Sequence, residues 1–150
     1  MRNFLIIISL FFFSSCGYSP IFKNLNDSNF FIEIESINGE QIINETIINK
    51  LNTISNIESE NKIILEINTQ YNKAVITKDK KGNPSTFKLS ASSEIKIKYR
   101  SKFKNISISR SSSLQKSNDN FDTEIYERNI KESFGADIIN ELLTELHSLK

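Results

Sequence analysis

Apolar residues recur in two rhythms along this chain. Period two marks strands, and steps of three and four mark helices. Residues 30–37 alternate, with Phe30, Ile32 and Ile34 on one side and Phe31, Glu33 and Glu35 on the other. This predicts a half-buried strand, ended by Asn38-Gly39. From Gln41 to Ile54 the apolar stripe is Ile43, Ile47, Leu51 and Ile54, widened by Ile42 and Ile48. That spacing predicts an amphipathic helix, because periodicity outweighs the weak helix propensity of isoleucine. Residues 62–78 place Ile63, Leu65, Ile67, Thr69 and Tyr71 on one face of a long strand or a bent pair. Asp79-Lys80-Lys81-Gly82-Asn83-Pro84 reads as a turn.

Residues 85–100 alternate without a break. Phe87, Leu89, Ala91, Ser93, Ile95, Ile97 and Tyr99 oppose Lys88, Ser90, Ser92, Glu94, Lys96, Lys98 and Arg100. One face of this strand is covered and the other is wet. After a turn within 101–105, Ile106 and Ile108 begin a fourth strand, with Ser107, Ser109, Ser111 and Ser113 on its open side. A polar connection follows over 114–120. A last helix is predicted over 123–149, capped by Asp122. Its stripe is Tyr126, Ile130, Phe134, Ile138, Leu142, Leu146 and Leu149. At ~1.5 Å per residue this helix is about 40 Å long. Gly135 weakens its middle and permits a bend.

The predicted order is β-α-β-β-β-α. Two helices with one apolar stripe each cover one face of a four-stranded, largely antiparallel sheet, giving an α+β two-layer sandwich. If the first β-α-β link joins parallel strands, it should cross right-handed. The expected division is a signal peptide over 1–15, a tether over 16–29 and one α+β domain over 30–150.

The leader sets the compartment. Arg2 is followed by an apolar run from residue 4 to 13, broken only by Ser9. The run is too short to span a bilayer, which takes ~20 apolar residues, and it suits a secretory signal. Ser14 and Ser15 then precede the one cysteine, Cys16. Small residues before cysteine form a bacterial lipobox, so Cys16 is expected to be the lipidated first residue of the mature chain. Lone cysteines are otherwise unusual in exported proteins. Stable anchoring takes more than one acyl chain, which a di- or triacylated cysteine provides. Gly17, in place of aspartate, points to the outer membrane, on its periplasmic side.

Without Arg2 the side chains balance at 18 basic against 18 acidic. This gives no reason to expect nucleic acid as a partner. The sole histidine, His147, suits the negative end of the last helix. No second His or Cys is available for a metal site or a nucleophilic triad. The Glu33/Glu35 pair reads as a solvated strand edge, and the Ser111–Ser113 run as an open strand face. The four glycines form no phosphate loop. No enzyme, cofactor or metal is expected. Basic clustering is the remaining signal: Lys80 and Lys81 in one turn, and Lys96, Lys98 and Arg100 on one strand face. They fall at opposite ends of a hairpin, as two patches. Each either protects a sheet edge and confers solubility or meets an anionic partner.

The opening Cys16-Gly17-Tyr18-Ser19-Pro20-Ile21-Phe22 resembles the mature start of the LptE family of lipopolysaccharide-assembly lipoproteins. The β-α-β-β-β-α order fits the same family. The resemblance implies an outer-membrane lipoprotein that plugs a large β-barrel, LptD, and assists lipopolysaccharide delivery to the cell surface. It implies no catalytic residues. Lipopolysaccharide, or a related anionic glycolipid, would be the ligand, with Lys80, Lys81, Lys96, Lys98 and Arg100 as candidates. The alternative is a free-standing envelope lipoprotein that holds a small or lipid ligand between sheet and helices.

Overall fold

The computed structural model describes residues 30–117 and 119–148. The signal peptide, Cys16, the tether and Leu149 lie outside them. The elements run β1 (Phe31–Gly39), α1 (Gln41–Ile54), β2 (Lys62–Lys78), β3 (Pro84–Tyr99), β4 (Lys102–Gln115) and α2 (Asn120–His147). The strands form one open sheet in the order β1-β2-β3-β4. β1 runs parallel to β2, and the other two pairs are antiparallel. This is the two-layer α+β sandwich that the periodicity predicts, with its element order.

Between the layers lies an apolar core. Ile43, Ile47 and Leu51 of α1, Ile63, Leu65 and Ile67 of β2, Leu89, Ile95 and Ile97 of β3, and Ile138 and Leu142 of α2 are all sealed from solvent. Each such side chain contributes roughly 1.5–3 kcal/mol by leaving water. Thr69 and Ser93, buried and 3.3 Å apart through their hydroxyls, close the fully apolar zone of the β2–β3 pair.

Several boundaries differ from those expected, each for a local reason. β1 carries an irregularity between Ile34 and Ser36, so the alternation slips at Glu35. Ile34 and Ile37 consequently both pack on the core. The β3–β4 turn is tighter than the polar run suggests. Only Arg100 and Ser101 separate the strands, and Arg100 adopts φ 55° to close it. β4 thus starts at Lys102 and runs through Leu114, which is buried. α2 begins three residues earlier than its expected first residue, because Asp119 rather than Asp122 is the cap. The Asp119 carboxylate accepts a hydrogen bond from the Phe121 amide at 2.8 Å. Tyr126, placed in the apolar stripe by spacing, is 56% exposed.

Gly135 has a packing role. A Cβ there would stand 2.7 Å from Thr46 Cβ and 3.0 Å from the Ile43 carbonyl oxygen. α2 therefore runs unbroken past Gly135 and lies close against α1.

Candidate functional site

Two surfaces hold the residues singled out from the sequence. The first is the sheet face that no helix covers among the described residues. Across it, rows of side chains run Glu33–Ile64–Lys98–Phe103, Ser36–Glu66–Lys96–Asn105 and Asn38–Asn68–Glu94–Ser107. Beyond these rows, Gln70, Asn72, Ser90, Ser92, Ser109 and Ser111 make the face a layer of amides and hydroxyls, with Lys88 as its charge toward the tip. A shallow depression of about 790 Å³ lies in the more charged half, lined by Ser36, Asn38, Glu66, Asn68, Glu94 and Lys96 among others.

On this face Lys96 donates to Glu66 at 2.9 Å. That hydrogen bond and the charge of Glu66 hold the Lys96 ammonium above its ordinary range. Lys98 lies 5.6 Å over the ring of Phe103. Arg100 stands 5.1 Å over Tyr99 and donates to Asn61 Oδ1 at 3.1 Å. Each of the three basic groups thus has an internal partner. Nearby, Lys62 is paired with Glu33.

The second surface is the β2–β3 hairpin, which continues past the N-terminal end of α1. Its tip is built by Asp79. The Asp79 carboxylate accepts from the amides of Lys81 and Asn83 at 2.8 and 2.9 Å. The backbone closes through Asp79 N to the Asn83 carbonyl at 2.8 Å. Gly82, at φ 86°, supplies the left-handed residue. Hydrogen bonds from Asn83, with those of Lys81 and Gly82, outweigh desolvation and hold the Asp79 carboxyl below its ordinary range. This fixes the backbone from which Lys80 and Lys81 project into solvent. Among the described residues, Lys78, Lys80, Lys81 and Lys88 have no ion-pair partner.

The five candidate residues therefore form two patches, as their positions in the hairpin suggested. Most of β3 separates them: from its first residue, Pro84, to Lys96 is 12 residues, or roughly 40 Å at ~3.3 Å per residue. They cannot hold one small anion together.

Sequence spacing did not reveal a charged cluster on the helix side of β2. Tyr71 Oη donates to Glu127 Oε1 at 2.7 Å, and Lys73 donates to Glu127 Oε2. Lys131 bonds Glu40 Oε1 at 2.9 Å and lies 4.3 Å over the Tyr71 ring. Glu40 also caps α1, accepting from the Ile43 amide at 2.9 Å. Burial favours the neutral form of Glu127, but hydrogen bonds from Lys73 and Tyr71 and the charges of Lys73 and Lys131 prevail. Its carboxyl is held below the ordinary range. Burial, then the hydrogen bond to Glu127 and its charge, push the Tyr71 hydroxyl well above the usual phenol range. All acceptors and donors here face one another, so the cluster is a clamp between α1, α2 and β2. Its partners are as much as 91 residues apart, which explains why no local pattern announces it.

His147 is exposed in the last turn of α2. Among the described residues no group of three or more His, Cys, Asp or Glu side chains could hold a metal ion.

No family model matches the chain, and no curated protein matches it. Solved structures do. Rare lipoprotein B from Shewanella oneidensis superposes with a TM-score of 0.60 at 11% identity, over 79% of this chain and 97% of that one. A Caulobacter crescentus protein, provisionally described as a lipoprotein, gives a TM-score of 0.57 at 11% identity, over 84% and 95%. This chain shares their fold. At such identity the likeness speaks for the fold alone, and both comparisons cover nearly the whole of the other chain.

Proposed function

We propose that the protein is a non-catalytic lipoprotein of the outer membrane, anchored through Cys16 on the periplasmic side. In this reading it acts as plug and assembly factor of a lipopolysaccharide-export β-barrel of the LptD kind. The carrying observation is the uncovered face of the sheet. It is broad, uncharged over much of its area and set with amides and hydroxyls, a surface suited to the polar interior of a large barrel. The lipobox at Cys16 and a fold found in solved lipoproteins support the anchored half of the reading.

The rival, a free-standing binder with its ligand between sheet and helices, is less well supported. The space between the layers is occupied by isoleucine and leucine side chains with essentially no exposure. Of three depressions among the described residues, one lies on the open face, one on the outer flank of the two helices, and one is open to solvent at the rim where Leu114 of β4 meets Tyr126 and Ile130 of α2.

For an anionic glycolipid, Lys80 and Lys81 are better placed than Lys96, Lys98 and Arg100. Binding at the tip lysines breaks no ion pair, whereas binding at Lys96 must compete with Glu66.

The test is affinity purification of the intact protein from membranes, with Cys16→Ala alongside. The expected result is co-purification of a large β-barrel protein with the intact protein, and loss of membrane attachment by the variant. Recovery of the intact protein without any large barrel would overturn the plug assignment.

A further inference from the structure

We propose that the edge of β2 over residues 70–75, uncovered among the described residues, takes up an acidic extended segment of a partner protein as a fifth strand. This goes beyond the barrel reading and does not depend on it.

The edge exists because β1 is shorter than β2. The last β1 residue paired with β2 is Gly39, opposite Thr69. There the chain turns off the sheet at φ 104°, so close to β2 that a Cβ would lie 1.7 Å from the Thr69 carbonyl oxygen. Glu40 N donates to that same oxygen at 3.2 Å. β2 then continues, paired with β3 on its other side without a break through Val75. Backbone groups alternate sides along a strand. The Thr69 carbonyl points toward β1, so the amides and carbonyls of Tyr71, Lys73 and Val75 point outward, where β1 no longer runs. The slot is bounded by the Gly39 corner at one end. At the other, the register slips between Val75 and Thr77. Six residues of edge is an ordinary strand length. Strand addition of this kind draws its affinity from main-chain hydrogen bonds and its selectivity from side chains.

Charge selects the occupant. From residue 70 to 88 the hairpin carries Lys73, Lys78, Lys80, Lys81 and Lys88 against one acid, Asp79, whose carboxylate is tied into the turn. Of the acids at the start of α2, Asp119 caps the helix, Asp122 faces Ser117 and Glu127 holds Tyr71 and Lys73, leaving Glu124 in solvent. A second copy is disfavoured, because two-fold pairing of an edge is antiparallel: it would set Lys73 opposite its own copy and drive each strand past Val75 into the other's β1, which is paired with β2 up to Thr69. Residues 16–29 join the sheet at its other end, before Phe31, and include one acid, Asp27. An anionic membrane would meet the lysines but offers no matching ladder of donors and acceptors. A strand with glutamate or aspartate at alternate positions meets both requirements. Val75 and Ile76, 46% and 53% exposed on opposite faces, give its apolar positions something to pack on.

The test uses the full-length protein in detergent and a fluorescent peptide of about ten residues, one ordinary strand with its flanks, alternating glutamate with valine and threonine. The expected result is saturable binding, with selective slowing of hydrogen exchange at the Tyr71, Lys73 and Val75 amides. Val75→Pro removes one outward N–H and no bond to β3, a position where edge strands tolerate proline. It should weaken binding about tenfold or more while leaving the melting temperature nearly unchanged. Replacing the peptide's glutamates by glutamine should cost about as much. Four results would overturn the proposal. They are no saturable peptide binding, protection confined to residues 78–82, binding of phosphatidylglycerol vesicles in place of the peptide, or self-association through the edge. Should Val75→Pro fail to fold, the exchange pattern of the unmutated protein decides by itself.

Discussion

The sheet has two halves that use the same strands differently. Near β1, strands β2 and β3 lie under both helices, and their inward residues are sealed: Ile63, Leu65, Ile67, Ile95 and Ile97 are each at most 1% exposed. Past Thr69 the alternation of side chains continues, but α1 has ended and β1 has turned away. Val75, on the same side of β2 as Leu65, is 46% exposed. Leu89 and Ala91 of β3 stay buried past that row, so pairing outlasts burial first on β2 and only nearer the tip on β3. The buried half supplies the stability, and the hairpin is held out as a surface by its ladder to β3, the Asp79 turn and the clamp at Glu127. A row of β-branched and aromatic residues says that a strand forms. Whether it ends as core or as surface depends on how far the covering elements reach.

The largest effect should come from the corner that separates the halves. Gly39→Ala asks for a side chain where the Thr69 carbonyl oxygen already stands, at a backbone angle that disfavours any Cβ. β1 must move off β2 or the α1 cap must break. We expect a loss of about 4 kcal/mol or more, among the severe single-residue effects. Urea unfolding measures it. A loss below about 1 kcal/mol would mean that the corner yields easily and does not set where the covered half ends.

A matched pair sharpens the contrast. Leu65→Ala removes a sealed side chain from the centre of the core and should cost about 2–5 kcal/mol. Val75→Ala makes a similar truncation on the same face of the same strand, and should cost under about 1 kcal/mol. Equal costs would show that the hairpin packs against something that seals it as fully as the helices seal Leu65.

The layers and their order were legible because each element carries its own period, and the inward face of β3 was readable residue by residue from Phe87 to Tyr99. What failed locally failed for local reasons. One residue out of step at Glu35 leaves the composition unchanged, and a two-residue turn at Arg100-Ser101 looks no different from a longer polar one. Gly135 looked like a weak point in a helix because its neighbour across the interface, Thr46, is far away in sequence. The candidate site was legible to a smaller extent. Alternation put Lys96 and Lys98 on the wet face and the turn residues put Lys80 and Lys81 at a tip. That the first pair is engaged and the second free depends on Glu66 and Phe103 in neighbouring strands. The free edge of β2 was hidden for a different reason: it follows from the relative lengths of two strands and from where their register begins.

The clamp between the halves should cost less than the changes at Gly39 and Leu65, and it is the test sensitive to pH. Glu127 joins α2 to Tyr71 and Lys73 of β2, in the rows just past Thr69 and Ser93. Its carboxyl titrates below its ordinary range in the folded protein, so its ionisation favours folding. That contribution is complete above the unfolded value of about 4.3 and is lost as pH falls through the lower folded value. Tyr71 works from the other side. Its hydroxyl is held above the phenol range, so its share is complete below about pH 10 and declines as the unfolded chain begins to ionise there. Glu127→Gln keeps the size of the side chain and removes the charge that Lys73 faces. At neutral pH it should cost about 1.5–3 kcal/mol, the range for hydrogen bonds to a charged group. The difference from the unmutated protein should shrink as pH falls below about 4. Melting curves across that range measure it, and hydrogen exchange locates it. Faster exchange confined to the hairpin would make Glu127 the tie that holds the exposed half to the buried one. Equal acceleration in β1 and α1 would instead make it part of the general stability of the fold.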